Sequence, residues 1–176
     1  LFCDEMRYGL ISNRSRGWSK RGRQRPLIRS GMKYEFGYIY IAVDIESWKV
    51  ESLLLPDADS SMTRMFVEFL REGSKGEDIV IIWDGAGFHK SAKLKEVEGL
   101  KFIKLPAYSP ELNPVERLIE ELRKSTANSV FNNLGEVEGV LIKALREYID
   151  NRDKVESLCG FPWIKRQMQD LHLNTS

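Results

Sequence analysis

Cysteine is scarce in this chain: Cys3 and Cys159 are the two among 176 residues, they lie near opposite ends, and no CxxC spacing occurs. That argues against a disulfide framework or a structural zinc site and points to reduced thiols. Long hydrophobic runs are missing too, since no apolar stretch approaches the ~20 residues that span a bilayer. The opening Leu1-Phe2-Cys3 leads straight into Asp4 rather than into a signal-peptide pattern. Neither internal repeats nor low-complexity tracts occur. What is present, 42% hydrophobic and 30% charged residues, suits one soluble intracellular globular domain over residues 1–176, able to bury a core and without a membrane role.

Net charge is also nearly absent at +1, but it is unevenly distributed. Residues 1–35 carry nine Lys/Arg against three Asp/Glu, or +6, which leaves −5 for the remainder. The excess lies in "NRSRGWSKRGRQRP", where Arg14, Arg16, Lys20, Arg21, Arg23 and Arg25 alternate with glycines and Trp18. A basic loop holding an aromatic ring suits a phosphate backbone and a stacked base. A solvated hairpin is the plainer alternative.

Around that loop the pattern predicts strands. "LFCDEMRYGLIS" reads as one, "YEFGYIYIAVDIE" has the composition of a buried strand, and "WKVESLLL" follows after a turn at Glu46-Ser47. Asp59-Ser60-Ser61 offers caps for a helix with Met62, Met65, Phe66, Phe69 and Leu70 at helical spacing, ending near Gly73. "DIVIIWD" predicts a strand buried on both faces, residues 89–98 a short helix, and "LKFIKLP" a further strand. Helices are expected from Asn113 to about Thr126 and from Leu134 to about Ile149, and "CGFPW" adds one more short helical stretch. The order implies an α/β fold, a mixed sheet whose later strands are parallel and whose faces carry helices.

Three carboxylates stand out. Asp84 directly follows "IVIIW" and precedes Gly85-Ala86-Gly87. That is where open α/β sheets bind ligands, and also where an aspartate simply opens a turn. Asp4 falls inside the first strand, where an unpaired carboxylate is costly, so a metal ion or Arg7 must compensate it. Glu5 faces the other way, and alternation alone does not say which of the two faces the site. In "LPAYSPELNPVERL", Asn113, Pro114 and Glu116 have capping-box spacing, whereas the stripe Val115, Leu118, Ile119 and Leu122 puts Glu116 on the helix flank, able to look into a cleft. Turn chemistry accounts for Glu111. Two aspartates and a glutamate at neighbouring element ends could bind hard divalent cations, two of which ~3.5–4 Å apart would serve phosphodiester cleavage.

The blocks "FCDEMRY", "IIWDGAGFHKS" and "LPAYSPELNPVERL", in this order, resemble the three signature blocks of DDE transposases of the mariner superfamily, in particular its bacterial insertion-sequence branch. The resemblance extends over nearly the whole chain. It implies a ribonuclease-H-like fold with a five-stranded mixed sheet. It also implies a catalytic, metal-binding triad of Asp4, Asp84 and Glu116, holding Mg2+ or its substitute Mn2+ as two ions. The implied reaction is DNA strand cleavage at transposon ends by water, then strand transfer in which a 3′ hydroxyl attacks target DNA, often at TA dinucleotides.

The implied partners are double-stranded DNA, as transposon ends and target, and a second copy of the chain in the DNA complex. The implied location is cytoplasmic and nucleoid-associated if the host is bacterial. His89 is implied as a DNA contact, with helix capping as its alternative. Thirty-one residues separate Asp84 from Glu116, fewer than in many relatives, and Ile119 stands where many have tryptophan. Relatives carry N-terminal helix-turn-helix modules and three residues precede Asp4 here, so a catalytic domain without end-specific binding is expected. The competing readings are another ribonuclease-H-like nuclease or integrase and a catalytically inactive, domesticated DNA-binding module.

Overall fold

In a computed structural model, residues 1–11, 32–74, 76–84, 99–107 and 109–167 are described. The basic loop, with Arg14, Arg16, Trp18, Lys20, Arg21, Arg23 and Arg25, lies outside them, as do His89 and the helix expected over 89–98. The elements run β1 (Phe2–Ile11), β2 (Met32–Val43), β3 (Val50–Leu55), α1 (Ser60–Gly73), β4 (Ile79–Trp83), β5 (Leu100–Lys104), α2 (Val115–Thr126), α3 (Leu134–Ile149) and α4 (Arg152–Cys159). The five strands form one mixed sheet in the order β3-β2-β1-β4-β5. β1 to β3 are antiparallel neighbours, while β4 and β5 run parallel to β1.

Strand alternation sorts the side chains into two cores. Phe2, Met6, Tyr8 and Leu10 of β1, with Ile39, Ile41 and Val43 of β2, pack under α2, α3 and α4. Cys3, Tyr40, Ala42, Ile81 and Trp83 face α1 through Phe66, Val67 and Leu70. Both cysteines are buried and unpaired, and burial pushes each thiol up to about 12, which keeps them protonated. Among the described residues no helix is long and apolar enough to cross a membrane.

Local chemistry sets the element ends as the sequence suggests. The Asp59 carboxylate accepts from the Ser61 and Met62 amides, capping α1, an arrangement worth about 1 kcal/mol. Asn133 and Asn151 do the same for α3 and α4. Gly37 sits opposite Tyr8, and a Cβ there would lie 2.4 Å from the phenolic oxygen. The missing side chain lets the Tyr8 ring cross β2 and donate to Glu138 Oε1 of α3 at 2.7 Å.

Two strand expectations need correction. The first half of β2 is exposed, with Tyr34 81% accessible, and β3 pairs with β2 only from Tyr38 onward. β4 is fully covered on its α1 side alone, through Ile81 and Trp83, while Val80 is exposed. Among the described residues, helices α2 and α3 pack mainly over β1 and β2.

Candidate active site

Asp4 lies on the β1 face that carries Phe2 and Met6, beneath α2. The parallel register pairs Phe2 with Ile82, so Asp4 and Asp84 each stand two residues further on, level with one another on adjacent strands. β4 ends at Trp83 whereas β1 continues to Ile11, which leaves Asp4 exposed to the space at the end of β4. Glu5 faces the other way and accepts from Trp83 Nε1 at 3.0 Å. Arg7 is not the partner of Asp4: its guanidinium lies 4.9 Å above the Phe36 ring.

Helix α2 brings the third carboxylate. Its stripe Val115, Leu118, Ile119 and Leu122 is fully buried, and Glu116 sits on the flank of that stripe, with its side chain 34% exposed. Asp4, Asp84 and Glu116 line one cleft of about 490 Å³, together with Lys104, Pro106, Ser109 and Asn113. Glu111 does not line it and stays exposed in the 3-10 turn Pro110–Leu112.

Glu116 does not close a capping box. The Asn113 amide donates instead to the Pro110 carbonyl at 3.0 Å, and the Glu116 carboxylate stands 3.9 Å from the Arg123 guanidinium across a solvent-exposed gap. Asn113 does cap the helix, with Oδ1 accepting from the Val115 amide at 3.2 Å. Its Nδ2 donates to the Cys3 carbonyl at 3.0 Å and to Asp4 Oδ2 at 3.2 Å. The capping role was visible in "NPVE", but the contact with β1 was not, because nothing local marks a bond across 109 residues.

Asp4 is the strained member electrostatically. Burial, then the Glu116 carboxylate, and in smaller part Glu5 and Asp84, push its carboxyl up to about 8, although the Glu5 amide on Oδ1 at 2.9 Å works the other way. Among the described residues no three acidic, histidine or cysteine side chains stand close enough to form a finished metal cage. The donor chemistry nonetheless fits a hard divalent cation: three oxygen-donor carboxylates share one open cleft, and Asp4 bears a repulsion that a cation would relieve.

Residues 1–138 match the family model for the DDE superfamily endonucleases. An uncharacterized protein, y4pE/y4sA, of Sinorhizobium fredii (strain NBRC 101917 / NGR234) is 31% identical over 133 residues, covering 74% of this chain and 98% of its own. Among solved structures, the mariner Mos1 paired end complex with Mg is similar at a TM-score of 0.64 and 15% identity, over 90% of this chain and 52% of that one. The catalytic domain of Mos1 mariner transposase is similar at 0.53 and 11%, over 89% and 79%. The chain thus spans about half the length of the Mos1 chains seen in their complexes. The fold is that of the ribonuclease-H-like transposase and integrase catalytic domains. With its order of strands and with the family model covering most of its length, the chain belongs to the DDE superfamily endonucleases.

Proposed function

We propose that this chain is a transposase catalytic domain that cleaves DNA strands at transposon ends and joins them to target DNA. The observation that carries the reading is the convergence of Asp4, Asp84 and Glu116 on one cleft, from three elements distant in sequence, in a chain of the endonuclease family. Asp4 and Asp84, on adjacent strands, would hold divalent cations and Glu116 would complete the set from α2. Mg2+ is the expected ion, Mn2+ its substitute, and two ions the expected number. Bound there, they would stabilise the attacking and leaving oxygens of an in-line displacement at phosphorus. Asp4 is held by two hydrogen bonds, whereas Asp84 is exposed and Glu116 partly so.

In cleavage, water forms the new P–O bond and the broken ester leaves as a 3′ hydroxyl. In strand transfer, that hydroxyl attacks a target phosphodiester, so one ester is exchanged for another. Neither step needs a covalent protein intermediate.

The test is a nicking and strand-transfer assay with a precleaved 3′ end, in Mg2+ or Mn2+. Glu116→Gln is expected to slow both steps roughly 10²-fold, about 2.7 kcal/mol of barrier, while Glu111→Gln stays near wild type. A wild-type chain that neither nicks nor joins strands in either metal would sink the reading in favour of an inactive DNA-binding module.

Duplex binding rests on the basic segment between Ile11 and Met32, with Trp18 as a stacking surface and His89 as a further contact. Replacing Arg21, Arg23 and Arg25 together with alanine is expected to weaken binding to any duplex and to reduce the slope of log affinity against log salt by about 3. Unchanged affinity at low salt would return the segment to a solvated loop.

A further inference from the structure

Asn113 is 3% exposed, and its carboxamide meets three groups at once. Oδ1 accepts from the Val115 amide at the head of α2, while Nδ2 spends its two protons on the Cys3 carbonyl and on Asp4 Oδ2. The Asn113 carbonyl in turn accepts from the Glu116 amide at 3.2 Å. One buried residue therefore links the strand bearing Asp4 to the helix turn bearing Glu116. A serine, threonine or aspartate would cap α2 as well. None of them offers two amide protons to β1.

We infer that Asn113 is a positioning residue for the metal site: it fixes the Asp4 carboxylate plane and sets the separation between Asp4 and Glu116. With Oδ1 bound to the Glu5 amide and Oδ2 to Asn113, the Asp4 carboxylate cannot rotate without losing a bond. The inference rests on the proposed metal-dependent function.

The discriminating variant is Asn113→Ser, which keeps a capping oxygen for the Val115 amide but is too short to reach Asp4. Asn133→Ala, which removes the cap of α3 and does not line the cleft, is the control for simple loss of stability. Mn2+ binding is measured on the DNA-free protein by calorimetry or by electron paramagnetic resonance, at a temperature where thermal melts show all variants folded. Asn113→Ser is expected to bind Mn2+ 10–100-fold more weakly, the range for hydrogen-bond partners of metal ligands, and Asn133→Ala to bind as wild type. If Asn113→Ser binds Mn2+ within twofold of wild type while melting lower, like Asn133→Ala, Asn113 is a structural cap and the inference is overturned. If the wild-type chain itself binds no Mn2+, the metal reading fails, and the inference with it.

Discussion

Replacing Asp4 with asparagine is expected to abolish strand cleavage and, at the same time, to make the metal-free protein more stable. The loss of activity should be at least roughly 10³-fold, about 4 kcal/mol of barrier, because Asp4 is the innermost of the three carboxylates and the one shared by both neighbours. The gain in stability follows from the direction of its titration. Its carboxyl is held near 8 in the fold against an ordinary value of 3.8, so between those limits the folded state binds the extra proton. Stability is then fully present below pH ~4 and is lost as pH rises towards ~8. Asparagine carries no charge to desolvate and keeps one acceptor for either the Glu5 amide or Asn113.

Melts in a chelator from pH 5 to 9 should show the wild type losing stability with pH and Asp4→Asn losing much less. The variant should be ahead at pH 8, each displaced pKa unit being worth about 1.4 kcal/mol. Adding Mn2+ should raise the wild-type midpoint and leave the variant's unmoved. A variant that melts below the wild type at pH 8 without metal would show that Asp4 is not a repelled anion. Such opposition between stability and activity is the pattern of a site held against its own electrostatics.

The second large effect lies on the other face. Phe66 of α1 is fully buried, with its ring centroid 5.4 Å from Tyr40, 6.4 Å from Phe69 and 6.0 Å from Trp83. Phe66→Ala removes the ring that joins α1 to the sheet, at a cost of about 3–5 kcal/mol, a large share of the roughly 5–15 kcal/mol a domain possesses. Trp83 immediately precedes Asp84 and donates to Glu5, so the same loosening should reach the cleft. Urea unfolding gives the first number, and nicking at 25 and 37 °C should show activity lost earlier on warming than in the wild type. A loss under about 1 kcal/mol would mean that the α1 face contributes little to holding β4.

Much of this was legible in the chain itself. The α1 cap at Asp59, the bounds of α3 and the succession of strands and helices along the chain follow from local rules, because capping, helical spacing and alternation are decided by neighbours in sequence. The two strand corrections arise where a neighbouring layer ends: composition reports what a strand can bury and not whether anything covers it, so Tyr34 and Val80 are exposed.

The candidate site divides in the same way. Asp4, Asp84 and Glu116 were nameable from three short blocks, each at the end or edge of an element whose type the pattern predicts. Alternation left Asp4 and Glu5 equivalent, and only the packing of α2 against the Phe2 and Met6 face made Asp4 the one in the cleft. Glu116 was equally consistent with a capping box until the Asn113 amide was found bonded to Pro110. Asn113 itself looked like a helix cap and no more. Its hold on Asp4 is a contact between residues 109 apart, and such a contact exists only once the sheet has formed and α2 has packed upon it.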